Sequence, residues 1–175
     1  MEAQRVSRAA KTGVNGTQRP IWQTLKAPSK KGLTVNVASF KENVHQHIDF
    51  FVRGKTEKLK DFKFSVDVKA RKRKSRSSDE YDDEYTWVEF KNVKGRKGWL
   101  YGDADKIAFE TEGGFVMVDR EELAKWCEEK VDFKKAVRNP YSAIYKVYTR
   151  KGREDLISRI KTEDIRNLSS CRLVA

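Results

Sequence analysis

The sequence predicts an α/β domain in which a central mixed β-sheet is flanked by helices. Three observations carry that expectation. Residues 61–70, DFKFSVDVKA, alternate side chains with the period of two that marks a strand, and residues 48–52 and 86–93 are further runs of β-favouring residues. Helix-start signals stand before and after these strands, at Ser39 and Asp119. The 175 residues suffice for one domain with a core and are too few for two ordinary ones.

The elements follow in order. Residues 1–33 hold seven Lys and Arg against one acid and read as a basic, partly disordered arm, with a helical turn at 20–25 anchored by Ile21 and Trp22. Residues 34–175 form the single expected domain. Ser39 with Glu42 makes a capping box, and Phe40, Val44 and Ile48 recur at helical spacing, so a short helix runs to about His47. It feeds the strand IDFFV at 48–52, which pairs with 61–70 through a hairpin.

In 61–70, Phe62, Phe64, Val66, Val68 and Ala70 form the expected core face. Lys63, Ser65, Asp67 and Lys69 share the other. Asp67 and Lys69 then project from one strand face about 7 Å apart along the chain.

Residues 71–84 place a basic block against an acidic one and read as a solvated hairpin loop. TWVEFKNV at 86–93 is the third strand, with Trp87, Glu89 and Lys91 opposite Val88 and Phe90. Two short strands, 105–110 and 114–118, flank a Gly-Gly turn. A second capping box, Asp119 with Glu122, starts a helix that buries Leu123, Trp126, Cys127 and Val131. A closing hairpin, 143–149 with 156–161, and a short helix at 162–168 complete the chain.

Charge narrows the function. The net +12 lies wholly in residues 1–76, which carry 19 Lys and Arg against 6 acids, while 77–175 carry 19 against 20. Such a surface implies a polyanionic partner, most simply nucleic acid, with DNA favoured. Two cysteines exclude a disulfide framework and a structural zinc site. No apolar run reaches the length of a membrane helix and no signal core opens the sequence, so a soluble, cytoplasmic protein is expected. Gly95-Arg96-Lys97-Gly98 lacks the P-loop pattern.

A helix, a strand opening on Asp49, a strand carrying Asp67-x-Lys69 within VDVKA, and a further strand together resemble the PD-(D/E)XK nuclease superfamily over residues 39–109. With VDVK, WVEF and GWLYG in a small basic chain, the likeness is to small phage-encoded nuclease-like proteins, which would place it in the host cytoplasm. The resemblance implies a restriction-endonuclease-like core and Mg²⁺ or Mn²⁺ as cofactor. Asp49, Asp67, Lys69 and Glu42 become the catalytic candidates, and Asp49, Asp67 and Glu89 the metal ligands. His47-Ile48 stands before Asp49 in place of the family's proline, which is often absent from its members.

The chemistry is consistent with that implication. Phosphodiester cleavage needs an activated water and neutralisation of growing negative charge, and a hard cation on oxygen ligands supplies both. Lys69 would orient the water or stabilise the phosphate. Glu89-Phe90-Lys91 is a rival triplet, with Asp67 then the first acid; the preferred triplet is Asp67-x-Lys69, and Glu89 reaches the same site if the third strand lies beside the second.

Arg71, Lys72, Arg73 and Lys74, with Lys94, Arg96 and Lys97 beside Trp99 and Tyr101, are the candidate nucleic-acid contacts. His45 and His47 read as polar helix-end residues, and Asp103 and Asp105 as turn residues. The alternative function is a non-catalytic basic nucleic-acid-binding protein. Either reading admits a homodimer.

Overall fold

The structure, a computed structural model, describes residues 33–55, 61–75 and 77–174. The basic arm and its helical turn at 20–25 lie outside the described residues, except for Leu33. Strand β1 (Thr34–Val37) opens the described chain. A helical turn follows, widening to π-type spacing over Glu42–Gln46 and ending at His47 in the left-handed conformation (φ 56°). Strands β2 (Phe50–Gly54) and β3 (Phe62–Lys69) form the expected hairpin.

Next come β4 (Lys72–Arg73), β5 (Tyr81–Asp82) and β6 (Tyr85–Lys91). A 3₁₀ turn at Trp99–Tyr101 precedes β7 (Lys106–Thr111) and β8 (Gly114–Asp119). Helix α1 (Arg120–Lys130) leads to β9 (Asp132–Val137), β10 (Lys146–Tyr148), β11 (Leu156–Lys161), α2 (Thr162–Arg166) and β12 (Arg172–Val174).

These strands make a six-stranded sheet in the order β1-β2-β3-β7-β8-β12, a four-stranded sheet β6-β11-β10-β9 and a two-stranded ribbon β4-β5. In the large sheet only the β3–β7 pairing is parallel. In the second sheet only β9–β10 is parallel.

The expected α/β class is therefore corrected. The described residues form a mostly β protein with several sheets and two α-helices, of 11 and 5 residues. No helix-flanked, restriction-endonuclease-like central sheet is present among them. Two physical reasons stand out. Segments to which the sequence assigned no element, 132–137 and 172–174, become strands by pairing with β10 and with the distant β8. The helix at Ser39 is a single wide turn that buries nothing, with Phe40 63% exposed, rather than a layer over a sheet.

The third strand, β6, does not sit beside β3. The parallel strand β7 takes that place, with Asp67 opposite Ile107 and Lys69 opposite Phe109. The core draws on both large sheets and both helices: Val88, Phe90, Ile107, Phe109, Val116, Val118, Leu123, Cys127, Ile160 and Ile165 pack as one cluster.

The faces of β3 are also corrected. Paired with Ile107 and Phe109, the Asp67 side is the one that turns toward this core, and Ser65 and Asp67 are buried. Phe62 and Phe64 stack on each other on the opposite side and stay half-buried. Alternation identified the strand but not which face the second layer would cover.

Local hydrogen bonds explain two further departures. The Asp119–Glu122 capping box does not form; Asp119 makes no side-chain cap, and Glu122 accepts from the backbone and hydroxyl of Ser169 and the backbone of Ser170. The loop at 71–84 is not simply solvated. Arg71 makes a two-pronged contact to Asp83 at 2.6–2.7 Å, and Lys74 pairs with Glu80 at 2.8 Å across the ribbon.

Candidate active site

Antiparallel pairing sets the site. Phe50 is opposite Val66, and the Asp49 amide donates to the Val66 carbonyl at 2.8 Å, which places Asp49 across from Asp67 on the same sheet face. Asp49 reaches that position because the chain reverses at His47, whose left-handed backbone is packed against Gly102. A Cβ on Gly102 would come within 2.8 Å of the His47 Cβ. The Asp103 amide secures the same turn by donating to the Gln46 carbonyl.

Asp49 is held at both oxygens. Oδ2 accepts from the Val68 amide at 2.7 Å, and Oδ1 accepts from the Asn43 side chain. Asp67 is only 4% exposed. The Lys69 Nζ lies 2.6 Å from its Oδ2 and is its charged partner. Burial, reinforced by the facing Asp49 carboxyl and opposed by Lys69, pushes the Asp67 carboxyl up to about 7.

Lys69 bridges the two sheets. Its ammonium sits 4.5 Å from the centroid of the Trp99 ring, whose edge meets Phe109 in the core. Trp99 follows Gly98, and a Cβ at Gly98 would stand 2.2 Å from the Glu89 carbonyl oxygen, so only glycine lets this turn lie against β6. Glu89 comes within electrostatic reach of Lys69 from the second sheet. Its carboxyl is raised by burial and held back by the Trp99 backbone amide and Lys69. Burial and the Lys69 charge lower the His47 imidazole, while Asp49 and Asp103 oppose them.

Asp49, Asp67 and Lys69 are thus brought together, with Glu89 nearby from the opposing sheet rather than from a neighbouring strand. Glu42 is engaged elsewhere. It forms the expected capping box reciprocally, Oε2 accepting from the Ser39 amide at 2.7 Å and its own amide donating to the Ser39 hydroxyl at 3.3 Å. Its side chain lines a separate cavity with Arg53 and Lys63.

The basic candidates divide. Arg71 and Lys74 are bound to acids, and Arg73 lies 3.5 Å from Asp79, so these cations are partly neutralised. Lys72 is exposed on the same ribbon, and Lys94, Arg96 and Lys97 are exposed on the turn between β6 and Trp99. Sequence reasoning missed Asn43 and Trp99 as the partners of Asp49 and Lys69. It also missed Asp105, which accepts from both the amide and hydroxyl of Ser65 at 2.7–2.8 Å. Asn43 could have been found by placing it one helical turn before His47.

Among the described residues, no group of three or more His, Cys, Asp or Glu side chains converges into a ready cation cage. The donor chemistry nevertheless fits a hard cation: two facing carboxyl groups, one of them buried, offer oxygen ligands from one sheet face. Compared with protein-family models, curated proteins and solved structures, the chain finds no match.

Proposed function

We propose that this chain is a divalent-cation-dependent nuclease that hydrolyses phosphodiester bonds in nucleic acid, DNA favoured, at the corner formed by Asp49, Asp67 and Lys69. The observation that carries the reading is the buried Asp67 carboxyl, set against a second carboxyl with the Lys69 ammonium beside it. For folding alone, an apolar or amide pair would serve better, because burying facing carboxyls costs stability. Such costs concentrate where a site needs a poised group.

Asp49 and Asp67 would hold Mg²⁺ or Mn²⁺, which when bound supplies charge neutralisation for the phosphate and an activated water. The chain's own residues do the rest. Asn43 and the Val68 amide fix the Asp49 carboxylate, so that it offers lone pairs in one orientation. Asp67 must surrender its proton before it accepts a cation.

Lys69, steadied over the Trp99 ring, keeps a positive charge beside the acid pair, where it can stabilise negative charge growing on a phosphate. Lys94, Arg96 and Lys97 supply exposed cations for the polymer backbone.

The test is to incubate purified protein with single-stranded, duplex and branched DNA and with RNA, in Mg²⁺, Mn²⁺ or chelator. Cleavage is expected only with the cation and is expected to vanish in Asp67→Ala. Absence of cleavage by the wild type, or unchanged cleavage by the variant, refutes the proposal. Salt-sensitive binding that needs no cation and survives Asp49→Ala and Asp67→Ala would identify a non-catalytic nucleic-acid-binding protein instead.

A further inference from the structure

The face of β2 and β3 that carries the acid pair continues beyond it. Register places Phe51 opposite Ser65 and Arg53 opposite Lys63, so these follow Asp49 and Asp67 in successive rows on one surface. Each row advances about 7 Å along the strands, and Asn36 of β1 extends the Phe51 row sideways. Asn36, Val37, Glu42, Phe51, Arg53 and Lys63 line a shallow cavity of about 340 Å³. The second sheet covers the β3 face at Asp67 but leaves Arg53 and Lys63 exposed at this end.

We propose that this surface is a nucleotide-binding platform that seats a single-stranded stretch of polynucleotide leading to the acid pair. The proposal rests on the reading of Asp49 and Asp67 as a phosphodiester-cleaving centre and specifies the substrate of that centre.

Two observations favour a single strand. Phe51 is a half-buried aromatic set among polar side chains, the arrangement on which an unpaired base stacks, whereas a base inside a duplex has both faces covered by its stacked neighbours. Arg53 and Lys63 stand side by side, with the Lys63 ammonium 5.3 Å from the centroid of the Phe51 ring, so a phosphate there stays next to the stacked base.

Glu42 completes the direction. Its carboxylate, fixed by Ser39, repels phosphate from its own corner of the cavity and so keeps the backbone on the Arg53–Lys63 side. The Asn36 amide, which can donate and accept, is left for a base edge. A plain surface cation–π pair between Lys63 and Phe51 is the structural alternative. It predicts no contribution to binding.

Fluorescence anisotropy in chelator separates the two. The probes are labelled dT₁₀, rU₁₀ and a ten-base-pair duplex, against wild type, Phe51→Ala, Phe51→Leu and the Arg53→Gln/Lys63→Gln double variant. Phe51→Ala is expected to weaken single-strand binding about tenfold or more. Phe51→Leu, which keeps apolar bulk and so guards against a folding defect, is expected to lose several-fold. Duplex binding is expected to be unchanged in both. The double variant is expected to flatten the salt dependence of single-strand binding by about 1.4 in log–log slope, the loss of two phosphate contacts.

Phe51-dependent binding of either dT₁₀ or rU₁₀ supports the platform, and the tighter of the two names the polymer. Unchanged single-strand affinity in both Phe51 variants, or equal losses on duplex and single strand, overturns it. The two proposals fail separately. Phe51-dependent binding by a protein that cleaves nothing defeats the nuclease reading alone, whereas Asp67-dependent cleavage indifferent to Phe51, Arg53 and Lys63 defeats the platform alone.

Discussion

Replacing Asp67 with asparagine should make the cation-free protein more stable at alkaline pH while abolishing the proposed cleavage. In the folded chain the Asp67 carboxyl titrates at about 7, against its ordinary value of 3.8. Below pH 4 both folded and unfolded chains hold the proton, and the group is neutral to stability. Between 4 and 7 the folded chain binds more protons than the unfolded one, so stability falls as pH rises, by about 1.4 kcal/mol per pH unit. Above 7 the full loss, about 4 kcal/mol, is in place.

From pH 5 to pH 8 the wild type should therefore lose about 3 kcal/mol through this residue, roughly 8 °C in Tm for a domain of this size. Asp67→Asn, with nothing to ionise, should lack that fall. His47 and Glu89 titrate in both proteins, so the difference between the two curves isolates Asp67. The assay is thermal unfolding followed by circular dichroism at half-unit pH steps in chelator. Parallel Tm curves for wild type and Asp67→Asn would refute the reasoning, because they would mean that the carboxyl is not destabilised by its surroundings.

Three other outcomes follow from the same geometry. At pH 8, excess Mg²⁺ should raise the Tm of the wild type by a few degrees and leave Asp67→Asn unmoved, since only a ligand with ionised partners stabilises the fold. Lys69→Met removes the charge that holds the Asp67 carboxyl down, so cleavage should fall about a hundredfold or more and the acid limb of its pH–rate profile should move to higher pH. Gly98→Ala places a Cβ 2.2 Å from the Glu89 carbonyl oxygen; the backbone must shift, and denaturant titration should show a loss of about 2 kcal/mol.

The acid pair was legible because its determinants are local. Two β-favouring runs with a short loop between them form a hairpin, and an antiparallel hairpin puts Asp49 across from Asp67. The Ser39–Glu42 box was legible for the same reason, since partners three residues apart need no tertiary information. What was lost depended on distant residues. Glu122 fits a capping box with Asp119, but Ser169 and Ser170 capture it from 47 and 48 residues away. Strand β9 is DFKKAV, four of whose six residues are exposed, and it is a strand because β10 pairs with it in parallel.

Glu89 shows the limit at the site. Its period-two face was read from the sequence, yet a parallel neighbour from residue 106 onward displaces β6 into another sheet. Strand order is a global property, and alternation carries no information on it. The fold class failed on the same point. Helix signals at Ser39 and Asp119 were counted as layers, but one is a single turn and the other packs beside Trp99–Tyr101 and β8.

The cation–π contact between Lys69 and Trp99 joins a side chain of one sheet to a turn held by the other. The geometry of the ammonium is therefore only as durable as the seam between the sheets. On heating or in mild denaturant, a small separation at that seam would free Lys69 while the β2–β3 hairpin still kept the two acids face to face. The proposed catalysis would then fade before the strands melt, and Trp99 fluorescence would report the loosening ahead of the far-ultraviolet signal. A Trp99→Phe chain, blind at that position, provides the spectroscopic control.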